Sequence, residues 1–394
     1  MGSFSMNDQR LRVCYFGTFR DHYSRNQIMI EGLRRNDVEV IECHVRLWRG
    51  IQDRVQTASG GWLRPAFAVR VVRALWELLR AYRKVQDYDV MVLGYPGQLD
   101  VFLARVLTWL RHKPLALDVF MSLYLIAAER ELTARHPWTG RLIYGLEKLS
   151  CSLPDLLILD TAEYVQWFQE VYSVNPARFR LVPTGADDRV FRPVQGERRD
   201  DGRFRALYYG TFIPNHGVKH IVEAARLLHD KGDIHFELAG DGPTKAQAEA
   251  LVHEHGLTNV TFLGWLDRPA LLRKAAEADV CLGVFGTTPQ SMMTVQNKIY
   301  EGLAMARPVV TGDSPTVRRA LVHGEHLYLC ERANPQSLAD AVRILKAEPD
   351  LRRRLAENGH RLFWAQYDLT HNGARFAAHL NELVGRRGMT DEEK

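Results

Sequence analysis

Short apolar runs alternate with longer helical patterns along the whole chain. The runs are rich in Val, Ile, Leu and Tyr with little polar alternation, which is typical of strands buried on both faces of a sheet. In the first half the predicted strands are 11–16, 38–43, 88–94, 114–120, 155–160 and 179–183. In the second half they are 205–210, 235–240, 260–264, 280–285, 308–312 and 326–330. The amphipathic segments between them predict βαβ crossovers and therefore parallel sheets.

The length of the chain, 394 residues, exceeds what one hydrophobic core usually supports. One βα series lies in each half, and residues 194–204 between them are charged, contain Gly and lack an apolar period. The sequence therefore predicts an α/β protein with two doubly wound Rossmann-like domains that face each other across a cleft, residues 1–194 and 195–394. The last helix could cross back to the first domain. In open α/β sheets, ligands bind beyond the carboxyl ends of the strands.

The composition, 46% hydrophobic and 25% charged, is that of a soluble globular protein. Five cysteines are scattered without a C-x-x-C pair, which argues against a disulfide framework or a structural zinc site and favours a reducing cytosol. No apolar run approaches the roughly 20 residues that span a bilayer, and the N-terminus lacks the apolar region of a signal peptide. We expect a cytoplasmic protein, with a peripheral position at the inner face of the membrane as an open alternative.

Positive charge is concentrated in one segment of the first half. Residues 1–194 hold 26 Lys and Arg and 21 Asp and Glu, and residues 62–84 alone hold six basic side chains and one acidic. With its apolar members this segment suits an interfacial helix on anionic lipid. Those members are Trp62, Phe67, Trp76, Leu78 and Leu79. The alternative is a surface helix packed on the sheet with snorkelling arginines. A single basic helix without a recognised module predicts no nucleic-acid binding.

The segment YYGTFIPNHG (208–217) predicts a strand, a glycine-containing loop and a helix that begins near Gly217. Such a turn presents backbone N–H groups and a helix N-terminus to an anion. The alternative is that Gly210 and Gly217 only permit tight turns.

Six segments, in this order and spacing, resemble the family-4 retaining glycosyltransferases of GT-B fold. They are LPDLLILDTAEYVQWF, LVPTGADDRVFRP, YYGTFIPNHGVKHIVEAARLL, FELAGDGP, VTFLGWLDRPALLRKAAEADVCLGVF and NKIYEGLAMARPVVTGDSP. The resemblance is strong across 155–365 and weaker over 11–125. It implies transfer of a sugar, with retention, from a UDP- or GDP-linked donor to a glycan or lipid-linked acceptor. It implies no cofactor and no bound metal.

The family usually has an Arg directly after the glycine that corresponds to Gly210 and a Lys just before the one that corresponds to Gly217. Here these positions are Thr211 and His216. The resemblance therefore implies that backbone amides, His216 and Lys298 hold the diphosphate, with weaker charge neutralisation than in typical members. His216 would be charged only if phosphate raises its pKa.

The segment VQNKIYEGLAMARPVV (295–310) resembles the family's second anchor, which has two glutamates before a helix and strand. Glu301 matches the second glutamate, which implies a carboxylate that accepts from the ribose hydroxyls. The first falls on Met293, and Asn297 and Lys298 stand one turn before Glu301. The alternative for Glu301 is a carboxylate that complements a helix dipole.

Further donor contacts in the second half are expected from loops that follow strands. Gly286 and Thr287 begin a polar loop of the kind that binds a donor sugar, although such loops also simply connect strands to helices. Gly240 lies in a tight turn that would shape the cleft near the base. By family position, Trp265 and Leu266 are candidates for the base slot, and an aromatic there can equally be core.

In the first half, Gly17 and Thr18 sit where the family's first loop approaches the donor phosphates. Asp118 ends a strand, in a segment that resembles the position where many members place a His or Asp near the reacting sugar; its alternative is a turn residue. We expect Asp118, His216 and Lys298 to be the catalytic residues. Catalysis would then be electrostatic stabilisation of the departing diphosphate.

Two other functions are open on sequence alone. A nucleotide-sugar epimerase uses a similar two-domain fold, but it would need paired acidic and His residues near the sugar. A catalytically idle GT-B protein that only binds nucleotide is favoured by the departures at Thr211, His216 and Met293.

Overall fold

A computed structural model describes residues 10–47, 65–194 and 201–392. The chain divides into two compact units, of which unit 1 ends at Pro183 and resumes at Leu369, and unit 2 is Thr184–Asp368. The predicted boundary after residue 194 differs from this division. The cause is packing, since Ala186 is buried in a core cluster of unit 2 and Phe191 packs against the same cluster.

Unit 1 is built on a six-stranded parallel sheet. Its strands are β1 (Arg12–Gly17), β2 (Glu39–His44), β3 (Val90–Leu93), β4 (Leu115–Asp118), β5 (Leu156–Leu159) and β6 (Phe179–Leu181). Its first helices are α1 (Ser24–Arg35), α2 (Pro65–Tyr82), α3 (Val101–Leu110), α4 (Leu123–Glu129), α5 (Leu132–Arg135), α6 (Pro137–Ser152) and α7 (Ala162–Tyr172). The strand order is β2-β1-β3-β4-β5-β6. The apolar runs of β3, β4 and β5 are buried along their whole length, as strands covered on both faces must be.

Unit 2 repeats this plan with a second parallel sheet. Its strands are β7 (Phe204–Tyr209), β8 (Ile234–Ala239), β9 (Val260–Gly264), β10 (Val280–Leu282), β11 (Val309–Gly312) and β12 (Tyr328–Cys330). Its helices are α8 (Val218–Leu227), α9 (Lys245–Glu254), α10 (Arg268–Glu277), α11 (Pro289–Met293), α12 (Asn297–Ala304), α13 (Pro315–Ala320), α14 (Pro335–Ala347) and α15 (Pro349–Gln366). The order is β12-β11-β10-β7-β8-β9, which places β7 and β10 at the centre.

The last helix, α16 (Leu369–Glu392), belongs to unit 1 and packs on α1. The two helix backbones meet at Gly32 and Gly373, where a Cβ added to Gly373 would lie 1.9 Å from the carbonyl oxygen of Gly32. Asn36 adds a hydrogen bond from its amide to the carbonyl of Thr370, 2.9 Å long. A side chain at either glycine would separate the helices.

The prediction of two doubly wound parallel-sheet domains is confirmed, and each predicted strand overlaps one of β1–β12. Connections between parallel strands are almost always right-handed, so the strand order predicts α1 on one face of the first sheet and α2, α3 and the α4–α6 segment on the other. Among the described helices, none combines the length and the apolar character that crossing a bilayer requires.

Candidate functional site

The loop between β7 and α8 ends in a tight turn whose shape depends on glycine. The chain passes through a 3-10 turn at Pro214–His216 and enters α8 at Gly217, whose φ is +64°. A Cβ on Gly217 would lie 2.5 Å from the backbone nitrogen of Gly286, so only glycine fits there. α8 has no side-chain cap at its N-terminus and no acidic residue in its first turn. Its first N–H groups are therefore available to an anion.

Lys298, in the first turn of α12, directs its ammonium group at this loop. The side chain is buried, and Nζ lies 4.1 Å from the centre of the Tyr208 ring and 3.4 Å from Nδ1 of His216. A Cβ on Gly210 would approach Nζ to 2.9 Å. Burial lowers the pKa of Lys298 to about 7, although the charge of Glu301 opposes the shift. The cation is thus held against an aromatic face in a poorly solvated place, where a bound anion would stabilise its charged form.

His216 lies beside Lys298 and is fixed through Nδ1. This atom lies 2.6 Å from the carbonyl oxygen of Thr211 and 2.8 Å from the hydroxyl of Tyr208, which itself donates to the same carbonyl at 3.0 Å. Because a nitrogen and a carbonyl oxygen this close must share a proton, we assign the proton of the neutral ring to Nδ1. Burial, and then the charge of Lys298, lower the pKa of His216 well below its usual value. The neutral ring then offers a lone pair at Nε2, not a donor.

Glu301 lies one turn after Lys298 on α12, so the two side chains share a helix face. The carboxyl is buried, and burial raises the pKa of Glu301 to about 7; the charge of Lys298 and a hydrogen bond with Tyr209 oppose the rise. Tyr209 also donates to the carbonyl of Lys298, 3.2 Å away. A carboxylate in such a place gains from hydroxyl donors, because they replace the lost hydration.

A second loop, between β10 and α11, packs directly on the first. The backbone nitrogen of Phe285 donates to the carbonyl of His216 at 3.0 Å, and a Cβ on Gly286 would lie 2.5 Å from the carbonyl oxygens of Pro214 and Asn215. Gly286 thus lies within van der Waals contact of the first loop, and the next residue, Thr287, is exposed. These contacts fix the distance between the two loops.

The structure brings most of the predicted residues of unit 2 together. The loops and the first turns of two helices contain Gly210, Thr211, His216, Gly217, Gly286, Asn297, Lys298 and Glu301. Asn297 is the first residue of α12 and is partly exposed. Their roles in binding a ligand stay predictions.

Three further predicted residues lie around this cluster. A Cβ on Gly240 would lie 1.9 Å from the carbonyl oxygen of Gly210, so Gly240 sits directly against the first loop. Leu266 packs against a core cluster of unit 2, whereas the side chain of Trp265 is 62% exposed. Trp265 is thus not a core residue, and its contact with a base stays a prediction.

Two residues that the sequence did not single out support this site. Tyr208 supplies the ring under Lys298 and the hydroxyl beside His216, and its position at the end of β7 was a usable signal. Arg332 is buried and donates through one nitrogen to the carbonyl of Gly286 at 2.8 Å and to Oγ of Ser291 at 2.7 Å. Nothing in the sequence near Arg332 indicates this contact.

In unit 1 the first loop is held by its own side chains. Asp100 accepts from the backbone nitrogen of Thr18 at 2.6 Å and from its hydroxyl at 3.0 Å. Burial raises the pKa of Asp100 to about 7, against these hydrogen bonds. A Cβ on Gly17 would lie 2.7 Å from Oδ2 of Asp100. Thr18 therefore has both donors engaged, which differs from the expectation that it approaches phosphates.

The geometry of Asp118 corrects the expectation that this carboxylate faces a reacting sugar. Both its oxygens accept from Arg25, at 2.9 and 3.0 Å, and neither side chain has any exposed surface. Arg25 also donates to the carbonyls of Val182 and Pro183, at 2.8 and 3.0 Å. The pair thus ties the last residues of this part of unit 1 to β4. It is a structural ion pair.

Among the described residues, no group of three or more His, Cys, Asp and Glu side chains is placed to hold a metal ion. Positive charge in the cluster of unit 2 comes from Lys298 and the helix N-termini instead.

Comparisons with known proteins agree with this fold. Residues 203–347 match the family model of the Glycosyl transferases group 1. The chain is 31% identical over 185 residues to the alpha-D-kanosaminyltransferase of Streptomyces kanamyceticus, which is 46% of this chain and 47% of that protein. It is 24% identical over 322 residues to the MMP alpha-(1->4)-mannosyltransferase of Mycolicibacterium hassiacum, which is 79% of this chain and 73% of that protein.

The fold is also that of solved glycosyltransferases. The sucrose-phosphate synthase of Thermosynechococcus elongatus superposes with a TM-score of 0.73 at 18% identity, covering 96% of this chain and 100% of that one. The resemblance to glycosyltransferases and the fold class are thereby confirmed. Residues 203–347 are thus similar to the Glycosyl transferases group 1, and the fold is the GT-B fold of two Rossmann-like units.

Proposed function

We propose that the protein is a retaining glycosyltransferase that moves a sugar from a nucleotide diphosphate sugar to an acceptor. The observation that carries the proposal is the position of Lys298. Its ammonium group lies beside the Gly210–Gly217 loop and shares a helix face with Glu301. A cation and a carboxylate one helical turn apart match a ligand with an anionic diphosphate next to a ribose diol.

In this proposal the diphosphate lies on the N-terminus of α8, with Lys298 as its fixed charge and Glu301 accepting from the ribose hydroxyls. As the bond to the sugar breaks, negative charge develops on the leaving diphosphate. The helix N-terminus and Lys298 stabilise that charge without rearrangement, because both are already in place. The charge of the ligand also raises the pKa of Lys298, so the amine binds a proton when the donor binds. No metal ion is needed in this scheme.

The donor sugar is proposed to lie against the Gly286–Thr287 loop, whose place is set by the first loop and by Arg332. Hexosyl donors are the class that the names of the two relatives suggest, since one is a kanosaminyltransferase and the other a mannosyltransferase. Met293 stands where the family has its first glutamate, so contacts to the sugar hydroxyls must come from backbone groups and Asn297.

Unit 1 is proposed to bind the acceptor, a glycan or a lipid-linked glycan. A lipid-linked acceptor is favoured by the basic helix α2, of which residues 65–82 are described; residues 62–64 of the predicted segment lie outside the described residues. Such a helix would hold the enzyme at an anionic membrane surface on the cytoplasmic side.

The second candidate function is that of a catalytically idle protein that only binds nucleotide, and one observation favours it. Thr211 replaces the usual Arg and His216 is disfavoured as a cation, so phosphate binding in this loop depends on one lysine whose pKa is about 7. A site with this little charge would stabilise a leaving group less than one with two or three fixed cations.

Turnover separates the two candidates. The purified chain is mixed with UDP- and GDP-hexoses and a set of glycan and lipid-linked acceptors, and release of nucleoside diphosphate is measured. If the protein is a transferase, we expect release of nucleoside diphosphate that depends on the acceptor and that Lys298→Ala abolishes. Binding of a sugar nucleotide without any release would favour the idle protein, and no binding at all would remove both.

A further inference from the structure

Unit 1 exposes an unusual amount of apolar surface on one layer of helices. Of the thirteen exposed large hydrophobic side chains among the described residues, nine belong to α2, α3 and α6. These nine are Val69, Val72, Trp76, Val106, Trp109, Leu110, Trp138, Leu142 and Leu149. Three of them are tryptophans, exposed by 51%, 72% and 80% along the chain. On the opposite layer, α1 and the described side chains of α16 contribute none.

The nine side chains point outward because each helix packs its opposite side against the sheet. In α2 the buried positions are Ala74, Leu78 and Tyr82, four residues apart, and the exposed valines and Trp76 follow the opposite side. Leu78, counted among the lipid-facing residues on sequence, is therefore in the core. In α6 the exposed positions Trp138, Leu142, Gly145 and Leu149 form one stripe with helical spacing.

Because connections between parallel strands are almost always right-handed, the strand order predicts that α2, α3 and α6 lie in one layer on the same face of the sheet. Two contacts agree with this placement. Arg111, just after α3, lies with its guanidinium 4.5 Å from the centre of the ring of Tyr82, at the end of α2. Arg105 of α3 pairs at 2.9 Å with Asp155, which follows α6. We name the outer side of α2, α3 and α6 the tryptophan face.

The charges on the tryptophan face are predominantly positive. Exposed Arg80 and Arg141 lie over the rings of Trp76 and Trp138, at 5.1 and 5.2 Å. α2, α3 and α6 together contain two carboxylates, Glu77 and Glu147. Glu77 is paired with Arg73 at 2.8 Å, and Glu147 is fully buried. The face therefore offers tryptophan, aliphatic and cationic groups, with no unpaired carboxylate.

We infer that the tryptophan face, formed by α2, α3 and α6 together, is a docking surface for an anionic lipid bilayer. This deepens the membrane contact of the proposed function from one helix to a layer of three. Tryptophans beside arginines match the interface of a bilayer, where the rings enter the headgroup region and the guanidinium groups bind lipid phosphates. Complementary charge favours this occupant over a second copy of the same cationic face, which would bring like charges together.

The test is flotation of the full chain with vesicles of phosphatidylcholine alone and of phosphatidylcholine mixed with phosphatidylglycerol. We expect binding to the anionic vesicles that weakens with salt. Replacing Trp109 and Trp138 by Gln should reduce the bound fraction about tenfold or more, and Arg80→Gln with Arg141→Gln should reduce it about tenfold at low salt. Trp364→Gln, an exposed tryptophan of unit 2, is the matched control and should bind as the wild type.

Three outcomes would overturn the inference. The first is no flotation of the wild type with anionic vesicles at low salt. The second is equal flotation of the tryptophan variant, which would place any lipid contact elsewhere. The third is a stable dimer that the tryptophan variant dissociates, which would make the face a contact between copies. Thermal unfolding shows whether the variants are folded. Binding of a sugar nucleotide in solution is measured separately, so failure of sugar transfer would leave the flotation result unchanged.

Discussion

Nζ of Lys298 lies 3.4 Å from Nδ1 of His216, and the two groups compete for positive charge. The lysine carries the charge, because the ring of His216 is neutral and directs its proton at the carbonyl of Thr211. The loop thus has one switchable cation. In the free protein His216 supports the loop through its contacts with the carbonyl of Thr211 and the hydroxyl of Tyr208, and its contact with phosphate stays a prediction.

The pH dependence of donor binding follows from Lys298 and Glu301, whose pKa values both lie near 7. Lys298 must be protonated to neutralise phosphate, so affinity falls as pH rises above about 7. Glu301 must be ionised to accept from hydroxyls, so affinity falls as pH decreases below about 7. We expect a bell-shaped profile for a sugar nucleotide, whose diphosphate does not titrate in this range. Titration calorimetry from pH 5 to 9, a window of about two units on either side of 7, measures this profile.

Two variants separate the limbs of this profile. Lys298→Ala should remove the alkaline limb and Glu301→Gln the acid limb, because each deletes one titrating group. His216→Ala should weaken binding through loss of loop order and keep both limbs. A wild-type profile that keeps its shape in the two charge variants would show that other groups titrate.

Glu301→Gln and Glu301→Ala should weaken binding of nucleoside diphosphates about 10- to 100-fold, since charge-assisted hydrogen bonds to the ribose are lost. The matched control is the corresponding 2′,3′-dideoxynucleotide, which lacks the ribose diol. It should bind the wild type as weakly as the ribonucleotide binds the variants, and the variants should no longer distinguish the two ligands. Discrimination retained in Glu301→Ala would assign the diol to another residue.

Gly217→Ala should destabilise unit 2, because the new Cβ would lie 2.5 Å from the backbone nitrogen of Gly286 at a φ of +64°. We expect a loss of about 2 kcal/mol or more in the free energy of unfolding, from strain and from separation of the two loops. Gly256→Ala is the control, since its φ is +58° and nothing lies within 4 Å of the added Cβ. Gly256→Ala should lower the free energy of unfolding by about 1 kcal/mol, from backbone strain alone. Equal losses in denaturant unfolding would mean that the loops are not in close contact.

Arg25→Met should destabilise unit 1 by about 3–5 kcal/mol, because it leaves the carboxylate of Asp118 buried and uncompensated. The double variant Arg25→Met/Asp118→Leu should recover much of this loss, and Arg135→Met, which breaks an exposed pair with Glu131, should have no measurable effect. Chemical denaturation of the three variants measures these differences. If Asp118→Asn instead leaves stability intact and abolishes turnover, the carboxylate is catalytic after all.

The strands and the order of elements could be predicted from sequence because buried parallel strands are continuous apolar runs, as β3 to β5 are. The glycine loop and Glu301 could be found because local sequence marks them. Local sequence gives little information about contacts between residues that are far apart in the chain. Asp118 looked like a strand-end residue, and its partner Arg25 lies 93 positions away.

The sequence alone did not place the domain boundary where the structure has it, and it left the charge of His216 dependent on bound phosphate, for related reasons. The hinge was predicted at residues 194–204, which are charged and lack an apolar period, but Ala186 and Phe191 already pack on the core of unit 2. The charge of His216 depends on burial and on Lys298, 82 positions later, and neither is visible in the loop itself.

Hydrogen exchange of the full chain, with and without a saturating nucleoside diphosphate (UDP or GDP), shows whether the nucleotide binds at Lys298 and Glu301. We expect amides in the peptides spanning 208–218 and 284–301 to exchange more slowly with nucleotide, and we expect Lys298→Ala to lose this protection. Protection confined to other segments, or no effect of either nucleotide on these two peptides, would contradict a donor site built on Lys298 and Glu301.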